Sequence, residues 1–395
     1  VGRRSTDEGP QAVTLELRSQ PSWLPAPLGR VVAKRMHRWI AGWARDRARK
    51  AMIARPEGER HLLVAICDHF EPLHGGATHE VGLARVRAWR EGYPALASRF
   101  RDSDGRSPRH TFFFPGEEYH PALVEPLAEM VEAGLGEIEV HLHHDGDTRA
   151  SLCDKLGQTL TDLDAHGVVS ARYGRPAWAF IHGNWALANG RPDGRWCGVD
   201  DELALLRELG CYADFTFPSA PDPCQPTIVN RIYYPRDDSR RRAYDFMAGP
   251  GPKPGRVLLV QGPLALARRE VHRGLGVRID SGALDAGDPP SGSRLKTWID
   301  QFVHVDGRPD WTFVKLHTHG APEANARTLL GEPTMDGLHA ELAALGAHDP
   351  WRVHYVTARE MYNVARAAMD GLQGSPAGYF DYEVPAAPRA RRQPT

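Results

Sequence analysis

Leu62-Leu63-Val64-Ala65-Ile66-Cys67, followed by Asp68-His69-Phe70-Glu71-Pro72, is the stretch on which the fold turns. Six apolar residues in a row read as a strand buried on both faces, ending in a polar turn. A doubly wound nucleotide-binding sheet places a glycine-rich turn after its first strand, and the acidic, histidine-bearing turn here argues against that reading. Seven more β-branched or aromatic runs follow, over 111–114, 138–143, 178–181, 213–217, 257–261, 312–317 and 352–356. Helical patterns lie between or after them, over 81–100, 122–133, 149–166, 200–209 and 358–369. This alternation predicts an α/β fold, a (β/α)7-8 barrel of parallel strands that is distorted or incomplete in places.

The flanks divide the chain further. Residues 1–27 are polar and proline-bearing, an irregular lead-in. Over 28–55 the apolar positions Leu28, Val32, Met36, Trp39 and Trp43 recur every three or four residues among arginines and lysines, which predicts a basic amphipathic helix. Its tryptophans are expected to pack on the barrel wall, with peripheral contact to an anionic membrane as the alternative. Residues 56–375 form the catalytic barrel, interrupted by an excursion over 218–255 that carries eight prolines and is placed to cover the barrel mouth. The basic segment 376–395 reads as a disordered tail.

With 395 residues, 25% of them charged and a net charge of −1, the totals give no sign of a nucleic-acid binder. The cysteines at 67, 153, 197, 211 and 224 form no CxxC pair, which argues against a disulfide framework or a thiolate zinc site. No secretory pattern and no apolar run of ~20 residues is present, so a cytoplasmic protein is expected, with residues 28–55 able to meet the inner membrane face. The first residue is Val1 rather than methionine, which leaves the natural start open.

Chemistry concentrates at the predicted strand ends, where parallel barrels keep their active sites. The first strand ends in Asp68 and His69 with Glu71 close by, a set suited to metal ligation or general-base work. The third carries Glu139, His141 and His143 on one face, with His144 and Asp145 where the strand gives way to loop. The seventh repeats the pattern with His317 and His319, and this second HxH is the main support for convergence on a cation. After the fourth come His182 and then Gly183 and Asn184, whose N–H groups suit an oxyanion. Glu117 and Glu118 are spare carboxylates behind the second strand.

The order of these segments resembles the NodB-type polysaccharide deacetylases, within the wider superfamily of (β/α)-barrel glycoside hydrolases and deacetylases. Ile66-Cys67-Asp68-His69 stands for the family's strand-ending acidic pair, 137–145 for its HxxxH motif and Lys315-Leu316-His317 for its late leucine-x-histidine motif. The likeness spans about residues 60 to 320. In this chain His69 takes the place of the second acid, Asp145 that of the second motif histidine, and His182-Gly183-Asn184 stands where an arginine-and-glycine motif belongs. The resemblance implies hydrolysis of an acetylated sugar. It implies a cation held by His141 with His143 or Asp145, and by His69, with Asp68 as base and His317 as acid; His182 is a further catalytic candidate. Zinc suits this donor mix best, and manganese, iron, cobalt or nickel also fit.

Three other functions compete. The late HxH is locally similar to that of multi-metal phosphoesterases of the amidohydrolase or PHP kind. A metal-free glycosidase would use two carboxylates among Glu71, Glu117, Glu118 and Asp145. A non-catalytic carbohydrate-binding barrel would keep the site without turnover, with Trp185, Trp196, Tyr212 or Tyr233 stacking on sugar.

Overall fold

All eight expected strands are present in the computed structural model, which describes residues 35–392 apart from 237, 272–273, 332 and 349. The strands are β1 (Arg60–His69), β2 (His110–Pro115), β3 (Gly136–Leu142), β4 (Ser170–Arg172), β5 (Arg175–His182), β6 (Cys211–Asp214), β7 (Ile232–Tyr233), β8 (Leu258–Val260), β9 (Ala265–Val271), β10 (Gly274–Asp280), β11 (Trp311–Thr318) and β12 (Trp351–Tyr355). The helices are α1 (Ile40–Ala51), α2 (His79–Ala97), α3 (Pro121–Glu132), α4 (Arg149–Asp164), α5 (Glu202–Glu208), α6 (Gly292–Asp300), α7 (Glu323–Leu330), α8 (Thr334–Gly346) and α9 (Ala358–Met369). Their starts follow local chemistry: Thr78 Oγ1 accepts the Val81 N–H at the head of α2, and Thr148 with Ser151 forms a capping box on α4.

The main sheet runs β11-β1-β2-β3-β5-β6-β8-β7 and is mostly parallel, with β7 and the short β4 antiparallel to their neighbours. β12 pairs with the first half of β1 and β2 with its end, both on the edge away from β11. The closed ring expected from the strand count is not formed among the described residues. β8 has only three residues, and β7 occupies its free edge. Looser contacts span the gap to β11: the His317 N–H donates to Gly282 O at 3.1 Å, the Leu284 N–H donates to His317 O at 2.8 Å, and Lys315 Nζ reaches Phe217 O at 3.2 Å.

Alternation along β1 sorts its side chains into two cores. Leu62, Val64 and Ile66 join the layer under α2 and α3, while Leu63, Ala65 and Cys67 meet Phe113, Ile181, Leu258 and Phe313 on the other face. Against that inner face lies α9, buried from Ala358 to Ala368. Its polar side is satisfied internally: Arg359 pairs with Glu137 and donates to Val384 O, and Asn363 holds both the carbonyl and the N–H of Val384.

Three expectations about the flanks need correction. The tail is ordered over 376–392, because Val384, Ala387 and Ala390 are buried and Arg359, Asn363 and Arg366 bind its backbone and Glu383. Among the described residues the expected N-terminal helix is represented by Ile40–Ala51, after a short turn at Met36–Arg38, and it ends at Ala51 instead of 55; the lead-in and positions 28–34 fall outside the described residues. No described helix is long and apolar enough to cross a membrane. The tryptophan face of α1 is also spent internally, since Trp39 is buried with Val229 and Leu264, and a side chain at Gly42 would meet Thr227 O at 1.8 Å. The peripheral membrane contact therefore has no free apolar face on α1 to use. The excursion over 218–255 packs on β8 and on the 188–191 backbone through Arg241 and Arg242.

Candidate metal centre

Three parallel strands, β11, β1 and β3, deliver their carboxyl ends to one spot. His69 closes β1, Glu71 follows it, His141 and His143 come from the end of β3, and His319 follows β11. Glu71 Oε1 lies 3.2 Å from His141 Nε2, 3.6 Å from His143 Nε2 and 3.8 Å from His319 Nε2. The His69 ring packs 4.9 Å from that of His141 and 4.7 Å from that of His319, centroid to centroid. Two triads share the carboxylate, His69-Glu71-His319 and Glu71-His141-His143, each with donor atoms within 4.8 Å of one another.

The surroundings orient these rings. His141 Nδ1–H donates to Ile181 O at 3.0 Å, which turns Nε2 toward Glu71. Glu117 Oε1 accepts from both Nδ1 (2.5 Å) and the backbone N–H (3.1 Å) of His143. On the far side, His74 Nδ1–H donates to Glu71 Oε2 at 2.5 Å. Neither ring nitrogen of His69 has a hydrogen-bond partner among the described residues, although the side chain is fully buried.

Charge follows the same plan. Burial holds His69 well below the usual imidazole range, helped by the neighbouring His319 and His141, and burial likewise lowers His319. Burial alone would raise Glu71, but hydrogen bonds from His141 and His74 hold it well below the carboxylate range. Burial opposes the charged form of His143, and Glu117 and Glu71 more than offset it, so that imidazole is raised. Lowered imidazoles at His69 and His319 beside the Glu71 anion are in the state a divalent cation needs.

Several expected residues lie elsewhere. Asp68 shares the face of Leu62, Val64 and Ile66 and turns away from the cluster; its Oδ1 accepts the Gly320 N–H at 2.6 Å and its Oδ2 accepts from His110 Nε2 at 2.9 Å. Both oxygens are thus engaged in the outer layer, away from the two triads. Asp145 is exposed and its Oδ1 accepts the Trp196 N–H at 2.5 Å, a loop-to-loop tie outside both triads. His317 faces inward, half-buried one step below His319, and desolvation holds it well below its ordinary value, which disfavours the imidazolium that a general acid needs. His182 and His144 point to the opposite face, and the Asn184 N–H donates to His182 Nδ1 at 3.2 Å instead of facing a substrate. Glu118 Oε2 accepts the Leu73 N–H at 2.6 Å, and burial pushes this carboxyl up to about 7.

Of the candidate sugar platforms, Tyr212 and Tyr233 are buried, their hydroxyls donating to Glu139 and Tyr244 O, and Trp196 lies under the Arg191 guanidinium. Trp185 sits beside the cluster, its ring 6.3 Å from His69 and 6.4 Å from His319. The sequence reading kept Glu71 and His319 as pocket candidates outside its expected ligand set, and the structure brings both together with His69.

No known family matches the sequence, and no curated protein does. Among solved structures, the 4-alpha-glucanotransferase from Thermococcus litoralis matches with a TM-score of 0.40 and 10% identity, over 77% of this chain and 40% of that one. The chain thus spans less than half of that enzyme, and a likeness at this level says nothing of activity.

Proposed function

We propose that the chain is a divalent-metal-dependent hydrolase whose centre is Glu71 with His69, His141 and His319, acting on an acetylated sugar. The observation that carries the metal is His69: a buried imidazole with both nitrogens unpartnered costs on the order of 1–3 kcal/mol for each lost bond, and a cation beside Glu71 removes that cost. The donor set of imidazole nitrogens and a carboxylate oxygen fits zinc and its first-row neighbours. A bound ion would supply Lewis-acid polarisation of a carbonyl and a more acidic water.

The chain's own groups handle the rest. His143, held by Glu117 at the half-exposed rim, keeps a proton at a site suited to an amine or alkoxide leaving group. Trp185, half-buried beside the cluster, offers its ring for a sugar to stack on. Support for an acetylated sugar comes from His69, His141 and His143, the motif residues that keep their place in the cluster, together with this indole. The multi-metal phosphoesterase remains the second reading, favoured by the two triads that share Glu71. Acetate release from N- and O-acetylated oligosaccharides, set against phosphate release from aryl phosphates before and after chelation, separates the two. Acetate release that survives complete chelation would refute the metal reading.

A further inference from the structure

A second polar knot lies behind this cluster, on the opposite face of β3 and β5. His144 follows His143 by one residue and so points the other way. His182 ends β5, Cys197 belongs to the irregular segment 183–201, and Glu202 opens α5. All four are at most 4% exposed, and their donor atoms lie within 4.8 Å of one another. Glu202 Oε1 is 3.2 Å from His144 Nε2 and 3.9 Å from His182 Nε2, and Cys197 Sγ is 3.4 Å from Glu202 Oε2.

We propose that His144, His182, Cys197 and Glu202 bind a second divalent cation, zinc, in a closed structural site. Two imidazoles, a thiol and a carboxylate make four donors with no access for substrate, the pattern of structural rather than catalytic zinc. The Nε2 of the fully buried His182 has no partner among the described residues and is aimed at Glu202, beyond hydrogen-bonding reach. Asp147 Oδ2, anchored by Lys155 at 2.8 Å, sits 3.2 Å from His144 Nδ1 without hydrogen-bond geometry, so that buried ring nitrogen too is without a hydrogen-bond partner among the described residues.

The site would hold what the backbone alone does not. Segment 183–201 has no regular secondary structure yet carries Trp185, Ala188, Asn189 and Trp196 at φ of 55°, 48°, 51° and 67°, left-handed conformations that non-glycine residues keep only when their surroundings impose them. An ion joining β3, β5, α5 and Cys197 fixes this segment at both ends, and with it the indole beside the first centre.

Cobalt substitution of the full-length, untagged protein tests the assignment. Cys197 is the only thiol in either candidate centre among the described residues, so the expected result is a sulfur-to-cobalt charge-transfer band in wild type and in Glu71→Ala. The band is lost in Cys197→Ala, together with one equivalent of zinc by elemental analysis. Should Cys197→Ala not fold, His182→Gln is expected to shift or abolish the same band. A cobalt-loaded wild type without a thiolate band, or a folded Cys197→Ala with unchanged zinc, overturns the proposal. Neither result bears on the Glu71 centre.

Discussion

Asp68→Asn separates a structural aspartate from a catalytic one. The side chain is fully buried and accepts two hydrogen bonds, from the Gly320 N–H at 2.6 Å and from His110 Nε2 at 2.9 Å, and Trp89 Nε1 closes the knot on Gly320 O at 3.0 Å. A hydrogen bond to a charged partner contributes about 1.5–3 kcal/mol and a neutral one about 0.5–1.5. The isosteric amide keeps one acceptor oxygen, so one charged bond is lost and the other becomes neutral. The expected cost is roughly 2–4 kcal/mol. Urea unfolding followed by tryptophan fluorescence reads this as a lower midpoint at unchanged slope, and native-state hydrogen exchange should show the Gly320 amide losing protection. Metal content should stay at the wild-type level, because Asp68 faces away from Glu71. Unchanged stability with hydrolysis abolished would falsify this reasoning and return Asp68 to the role of base.

The neighbouring Gly320→Ala places a Cβ 2.1 Å from Asp68 Oδ2 and 2.6 Å from a Trp89 ring carbon, so both the unfolding midpoint and the affinity of the adjacent His319 for metal should fall, read by unfolding and by metal titration. Burial would raise the Glu360 carboxyl, yet Arg109, Arg106 and Arg359 hold it at about 2 against an ordinary 4.5. A depressed carboxyl stabilises the fold above pH 4.5 and loses that contribution as pH falls toward 2, so urea midpoints measured from pH 5 to 3 should decline less steeply in Glu360→Gln than in wild type. Trp185→Ala should weaken sugar binding about tenfold, ~1.4 kcal/mol, with the metal retained, as judged by KM and elemental analysis.

How far the sequence carries can be followed residue by residue. The eight parallel strands were legible because each is a short buried run between helical patterns. The imidazoles of β3 and β11 were legible because HxH on a strand puts both rings on one face. The side on which Asp68 lies was not legible for a physical reason: β1 is apolar on both faces, so hydrophobicity does not show which parity faces inward, and the two cores appear only once helices and α9 are packed against it. The β9–β10 hairpin escaped because its strands carry arginines and glycines in place of alternating apolar residues. Cys197 and Glu202 had no spacing signature, since an irregular segment brings them to β3 and β5. The tail looked disordered by its proline and arginine content, but the polar face of α9 needs its carbonyls and Glu383, and those partners lie far away in sequence.

The central claim is that Glu71 gathers histidines from β1, β3 and β11 around a divalent cation. Metal content of the untagged protein, measured for wild type, Glu71→Ala and His141→Ala at matched folding, tests it most directly. The account predicts that each substitution removes the metal of this centre while the thiolate-dependent ion remains. A folded Glu71→Ala that holds the same metal as wild type, or a wild type whose Glu71 cluster cannot be loaded with zinc, manganese or cobalt, would contradict it.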